Sequence, residues 1–390
     1  MNKDQISMRQ LMVLLFLGQL SPGIHLISGS LARRAGSAGW LAPLGALLLL
    51  LALGWLASRL AGDLPKGQGL ANGFRAALGT WGGRLAATLY IMWGFLLLTV
   101  ELRLYGERMT TLSPGGTGRW FFLLALSAVL AWMASGKLSA FARAGEIFYL
   151  AMLLLLAVVA GAGLLQIDGL NLLPVRGREL TGVPAAALEA AALLSQGVYV
   201  GFLLPHMLRR PGDGRALRRW TAALCLTLAL LQVVVLGGLG ADLAARSEVP
   251  LFVLTRDMSI GGAVQRLEGL TLSLWVLSDL VLLGVLLFSL CRLLEWLLKL
   301  RGRFLPAMLL AAALAVGELG FPEGRSLQKF SAAVLPVGNF WLCICFPALA
   351  VLCKTLRRRA AGKDISCGVK MEETKDIVVQ KKGEKKMRKR

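Results

Sequence analysis

Two histidines, four tyrosines and 22 acidic side chains are all that 390 residues offer for acid–base chemistry. No HExxH, GxSxG or phosphate-loop pattern occurs, so no catalytic constellation stands out and an enzyme is not expected. The six cysteines (Cys225, Cys291, Cys343, Cys345, Cys353 and Cys367) form no CxxC pair and no Cys/His cluster of metal-ligand spacing. Buried thiols are expected rather than disulfides, and neither metal nor cofactor is implied. Long polar stretches are also missing until Cys353.

What the chain does have is apolar surface: 56% of residues are hydrophobic, 17% are charged, and the mean hydropathy is +0.66. This is the composition of a polytopic membrane protein. The net charge of +21 would suit a nucleic-acid binder, but its placement argues otherwise. Fourteen of the 43 Lys and Arg lie after Cys353, and the others sit in short loops between apolar runs. That pattern is topogenic and faces lipid headgroups, and no nucleic-acid partner is expected.

Ten runs are long enough to span: 8–28, 40–60, 83–103, 119–136, 146–166, 186–207, 219–242, 268–291, 304–321 and 331–353. The first is expected to be retained rather than cleaved as a leader, because Asp4 lies among its flanking basic residues and no small-x-small site follows. With the N-terminus inside, 17 basic residues before the tail fall on the inner side and 12 on the outer. Both termini are therefore expected to be cytoplasmic. Residues 1–353 read as a transmembrane domain and 354–390 as a basic, disordered cytoplasmic tail suited to anionic membrane lipids. Residues 168–184 read as an irregular lid. Residues 243–267 read as an amphipathic stretch that lies on the membrane surface or folds over the outer mouth, with Gly261–Gly262 as a break.

The first run carries polar and helix-breaking residues at mid-depth: Ser21, Pro22, Gly23, Ile24 and His25. Pro22 removes a backbone donor, and freed backbone groups are tolerated in hydrocarbon only where protein or a water-lined cavity receives them. Ten helices divide into five plus five, and inverted-repeat transporters place discontinuous helices at matching positions of the two halves. The partner of the first run is then the sixth, where Ser195, Gln196, Gly197, Val198 and Tyr199 form a second break. With Thr99 of the third run these are the candidate ligand-binding residues. The competing reading is a plain proline kink satisfied by neighbouring helices.

His25 lies deep in the first run, and a neutral ring satisfied by a freed carbonyl is its ordinary fate. His206, beside Pro205 and Arg209, reads as an inner interface residue. Intramembrane charges are functional candidates by default: Glu101, Arg103, Glu107 and Asp279. Arg103 and Glu107 have the i,i+4 spacing for a pair. Asp279, in a stripe with Ser273 and Ser278, suits either a proton or cation relay or a salt bridge to Arg103. Glu189 suits a helix N-terminus.

Residues 3–353 resemble the GerAB-type spore germination permeases, B subunits of nutrient germinant receptors in the amino acid–polyamine–organocation superfamily. The opening ISMRQLMVLLFL carries the resemblance, as do Arg103, Tyr105, Gly106 and Glu107, and Asn171–Val175. Its most specific part is LTRDMSIGGAVQRLEGLTLSLWVLSDL, with Arg256, Ser259, Ile260, Arg266, Glu268 and Trp275. The long basic tail and the SPGIH run depart from the family pattern. The resemblance implies an all-α, LeuT-like fold in the spore inner membrane. It also implies an amino acid germinant bound between runs one, three, six and eight, and two partners: a larger A subunit and a lipoprotein C subunit. The runner-up is a proton- or cation-coupled amino acid transporter.

Overall fold

The computed structural model describes residues 4–62, 64, 65, 67–112, 118–173, 176–210, 212–257, 259, 260, 264, 265 and 268–357. Val175 and Arg266 of the resemblance, the Gly261–Gly262 break and the tail beyond residue 357 lie outside them.

Each of the ten apolar stretches is helical. The first is α1 (Met8–Pro22), a π-turn (Gly23–Ile27) and α2 (Ser28–Ala35) in one continuous rod. It is followed by α3 (Ala42–Ala61), α4 (Leu70–Leu112), α5 (Arg119–Ala134) and α6 (Leu138–Leu164). After the short α7 (Gly169–Leu172) comes α8 (Gly177–Leu194), which continues as a 3-10 helix (Ser195–His206). The second half continues with α9 (Asp213–Leu239), α10 (Ala241–Arg246), α11 (Pro250–Asp257), α12 (Glu268–Leu298), α13 (Leu305–Gly320) and α14 (Gly324–Asn339). A second π-turn, Phe340–Cys345, leads from α14 into helix that ends at Arg357, four residues past the expected domain boundary. Among the described residues, seven helices are long and apolar enough to cross a membrane, and α5 and α13 are shorter apolar helices. The chain is an integral membrane protein.

The lipid-facing surface shows in its exposed aromatics. Trp55, Trp81, Trp120 and Trp132 stand out from the helices, with the Arg59 guanidinium 5.2 Å from the Trp55 ring centre and that of Arg84 5.8 Å from Trp81. Such amphipathic rings favour the headgroup level. Gly79, at φ 86°, breaks α4 near its start, a conformation that a residue with a Cβ rarely adopts.

One expectation about loops changes. The lid at 168–184 is mostly helix, because α8 starts at Gly177 and carries Pro184 inside it. Its first turn is secured by Glu179, whose carboxylate accepts from the Arg176 N–H at 3.4 Å and from Ser37 Oγ at 2.6 Å. Of the two placements expected for 243–267, the described part folds against the bundle: Leu251, Phe252 and Leu254 of α11 are buried against the helices. A short antiparallel pair, β1 (Ser259–Ile260) with β2 (Val264–Gln265), completes it.

Candidate functional site

Helix α1 is interrupted one turn before Pro22. In an uninterrupted α-helix the Ser21 N–H would donate to the Leu17 carbonyl. Here the Ser278 hydroxyl of α12 stands between them, accepting from Ser21 N at 2.6 Å and donating to Leu17 O at 2.5 Å. A side chain inserted into the helical ladder is a recognised cause of a kink. Pro22 follows at once, and the chain passes through the π-turn before α2 resumes. The backbone groups that the sequence suggested would await a ligand are therefore met by α12, and helix type changes without unwinding. The sixth run behaves likewise: α8 tightens to 3-10 geometry from Ser195. Replacing Ser278 with alanine leaves a buried donor and acceptor to find each other. We expect a loss of roughly 1–3 kcal/mol, read as a lower unfolding midpoint of the detergent-solubilised chain, with Ser278→Thr close to wild type.

The interrupted helix carries a chain of buried polar groups. Ser21 Oγ donates to Asp279 Oδ1, and Arg108 Nη2 donates to Asp279 Oδ2 at 2.7 Å. With its proton committed to Asp279, Ser21 Oγ accepts from His25 Nδ1 at 3.2 Å. Nδ1 then carries a hydrogen, and in the neutral ring Nε2 is the acceptor. Among the described residues His25 Nε2 has no partner, nor do Nε and Nη1 of Arg108. Among the described residues neither Glu101 carboxylate oxygen is met at full hydrogen-bond geometry, although Glu101 is only 2% exposed. The Gln196 carboxamide is the hydrogen-bonding group beside it, and Arg108 and Asp279 are its charged neighbours. Trp275 Nε1, also on α12, is buried and unpaired.

Arg108 was not legible as part of this cluster. The third run was taken to end near 103, whereas α4 continues to Leu112 and carries Arg108 into the buried core. The lack of a turn signal between 103 and 112 was the available clue. Asp279 therefore pairs with Arg108 and not with Arg103. Arg103 pairs with Glu107, as the spacing suggested, and also with Glu318 of α13 at 3.3 Å. Arg119 joins the same group, 3.0 Å from Glu107 and 2.6 Å from Glu318. These two arginines and two glutamates tie α4, α5 and α13 together. Glu189 makes no helix-terminal contact and pairs with Arg34 of α2.

The other candidates divide. Ser195 Oγ donates to Ala192 O at 2.6 Å, and Tyr199 donates to Tyr90 O at 2.8 Å while its own carbonyl accepts from Ser289 at 2.9 Å. Both are committed to holding the 3-10 stretch against its neighbours. Thr99 donates to Phe95 O at 2.8 Å and lies against Gly317 of α13, away from the helix-one joint. Gly197 and Val198 line a cavity with Gln19. Pro22, Gly23 and Ile24 shape the π-turn and bring Ser21 and His25 to α12.

A second hub gathers around Asp4 and Ile6. Ile6 pairs with the end of the 3-10 stretch, its N–H donating to His206 O at 2.9 Å and its carbonyl accepting from Leu208 N at 3.0 Å. Asp4 accepts from Ser139 N at 2.9 Å and lies 3.5 Å from His206 Nδ1 and 3.7 Å from Arg292. His206 is thus an interface residue, and Asp4 joins the starts of runs one and five to the ends of runs six and eight. The polar cluster sits between two side-chain closures, one at each end.

A family profile described as Spore germination protein matches residues 5–317. Spore germination protein KB of Bacillus subtilis (strain 168) is 26% identical over 276 residues, 69% of this chain and 72% of that protein. Spore germination protein YndE of the same organism is 20% identical over 280 residues, 70% of this chain and 76% of its own length. The crystal structure of MhsT in complex with L-phenylalanine aligns with a TM-score of 0.64 at 16% identity, covering 89% of this chain and 88% of that one. That likeness establishes the fold as LeuT-like and all-α.

Proposed function

We propose, from the premise that this chain belongs to the spore germination protein family, that it is the membrane subunit of a nutrient germinant receptor. The observation that carries the reading is the set of buried, unpartnered polar atoms around the helix-one joint: His25 Nε2, the Glu101 carboxylate and two nitrogens of Arg108. Leaving such groups unpaired costs on the order of 1–3 kcal/mol each, more for charged ones, and a ligand with matching groups recovers it. An amino acid matches: its ammonium meets Glu101 and His25 Nε2, and its carboxylate meets Arg108. Binding signals by preferring one arrangement of the two closures over another. A larger A subunit and a lipoprotein C subunit would read and relay that change. In this reading the membrane is the spore inner membrane, both termini are cytoplasmic, and the basic tail lies against anionic lipids.

The experiment compares germination of spores lacking this gene with wild-type spores across a panel of amino acids, sugars and salts. One lost amino acid response, restored by the wild-type gene, is the expected result. Restoration with Glu101→Gln should require at least about tenfold more of that amino acid, equivalent to about 1.4 kcal/mol. An unchanged panel would set the reading aside. The LeuT-like fold supports a second reading, a coupled amino acid transporter. It requires uptake of the labelled amino acid by reconstituted proteoliposomes, which the receptor reading does not.

A further inference from the structure

A cavity of about 320 Å³ lies on the other side of α1 from the polar cluster. It is enclosed by the inner part of α1, by α3, by the 3-10 stretch and by the start of α9. Leu15, Leu53, Leu217 and Leu224 form its walls, and Gln19 and Gly197 lie at its deep end. Ser21, His25, Arg108 and Asp279 take no part in it. Its volume is at the lower end of the roughly 300–1,000 Å³ of small-molecule sites, and its surface is almost wholly apolar.

Ser58 and Thr221 also line it but give their hydroxyls to Trp55 O and Leu217 O, and Arg209, Arg210 and Asp213 are the charged residues of the lining. Gln19 is the buried polar side chain among them whose oxygen is left over. It is 4% exposed, its Oε1 is buried without a partner, and its carboxamide makes no hydrogen bond among the described residues. Gly197 lies beside it, at ordinary contact distance: a Cβ there would sit 3.6 Å from Gln19 Nε2. The oxygen and nitrogen of an amide are interchangeable in assignment, so the complementary group must both donate and accept. A hydroxyl does both. A charged ligand is disfavoured by apolar walls. The mouth supplies little compensation from Arg209, whose guanidinium is already given to the carbonyls of Ala61 at 2.9 Å, Leu64 at 3.1 Å and Gln68 at 2.7 Å. A phospholipid acyl chain ends in a methyl group and would leave Gln19 unpaired.

We propose that this cavity binds a small neutral alcohol with an apolar body, its hydroxyl on Gln19 and its chain between α1, α3 and α9. The site is separate from the germinant cluster and stands whether or not the receptor reading holds.

The test uses the full-length chain in nanodiscs of defined phospholipid and a diazirine-bearing octanol, with labelled positions located by mass spectrometry. Labelling should concentrate on cavity residues of α1, α3 and α9, and unlabelled octanol should compete about tenfold better than octane, the worth of one hydrogen bond to a buried amide. Leu53→Trp should abolish the labelling by filling the cavity. Gln19→Leu should retain labelling but remove the preference for octanol over octane, with unfolding midpoints confirming that both variants are folded. Equal competition by octane in the wild-type chain needs no variant and overturns the proposal. So does labelling spread evenly over lipid-facing positions such as Trp81 and Leu150, or capture of the same residues by a phospholipid bearing the diazirine at its chain end.

Discussion

Replacing Asp279 with asparagine should destabilise the protein by roughly 3–5 kcal/mol, the cost of leaving a buried charge without its partner. Asp279 is 2% exposed and Arg108 8%, so water cannot take over the role of either. Asparagine keeps the size and one acceptor oxygen, which isolates the loss of charge from loss of packing. The measurement is thermal unfolding of the detergent-solubilised full-length chain, followed by intrinsic fluorescence. The double variant Arg108→Met/Asp279→Leu should recover much of the loss, because apolar replacement of a buried pair is often neutral or stabilising. It should nevertheless fail to support nutrient response, since in the proposed site Arg108 also receives the ligand carboxylate. A single variant as stable as wild type would show that the pair does not hold α4 to α12.

Gly182→Ala should be nearly as damaging, although it adds one methyl group. Gly182 lies where α8 crosses α2, and a Cβ there would overlap the Arg34 carbonyl oxygen and crowd the Ala35 Cα at 3.3 Å. Both obstacles are backbone, so no rotamer change relieves them and α2 must move outward. Overpacking of this kind typically costs about 1–3 kcal/mol. The shift would also disturb the Arg34–Glu189 pair and the angle between the two halves of the first helix. Gly161→Ala is the control: nothing lies within 4 Å of a Cβ there, and alanine should stabilise α6 by up to about 1 kcal/mol. If both alanine variants unfold together at the wild-type midpoint, the close approach of α2 and α8 is not a constraint on the fold.

The apolar stretches were legible because bilayer thickness sets their length, and the special character of the first run was legible because Pro22 and Gly23 punctuate it. The small-polar-Gly triplet and the five-plus-five division point to an unwound break at Ser195, whereas the chain stays helical there and tightens to 3-10 geometry. Helix α8 was misjudged at its start, since Gly177, Gly182 and Pro184 have loop composition. Gly182 is there for a tertiary reason, since it admits the α2 backbone. The partner of Asp279 was not legible, because spacing identifies neighbours on one helix and says nothing about which face of α4 meets α12. Ser278 shows the same limit more sharply. Its sequence context gives a serine beside an aspartate, and only the fold puts its hydroxyl inside the ladder of another helix.

The way the buried charges are matched decides what a transmembrane voltage can do to this protein. A field acts on net charge, at about 2.3 kcal/mol per elementary charge carried fully across 100 mV. The group of Arg103, Arg119, Glu107 and Glu318 sums to zero, and so does the Arg108–Asp279 pair. Helices that move with those groups intact carry no gating charge from them. Among the described residues of this cluster Glu101 and His25 are left without such a counter-charge, so the electrical sensitivity of the core comes down to whether those two groups hold a proton.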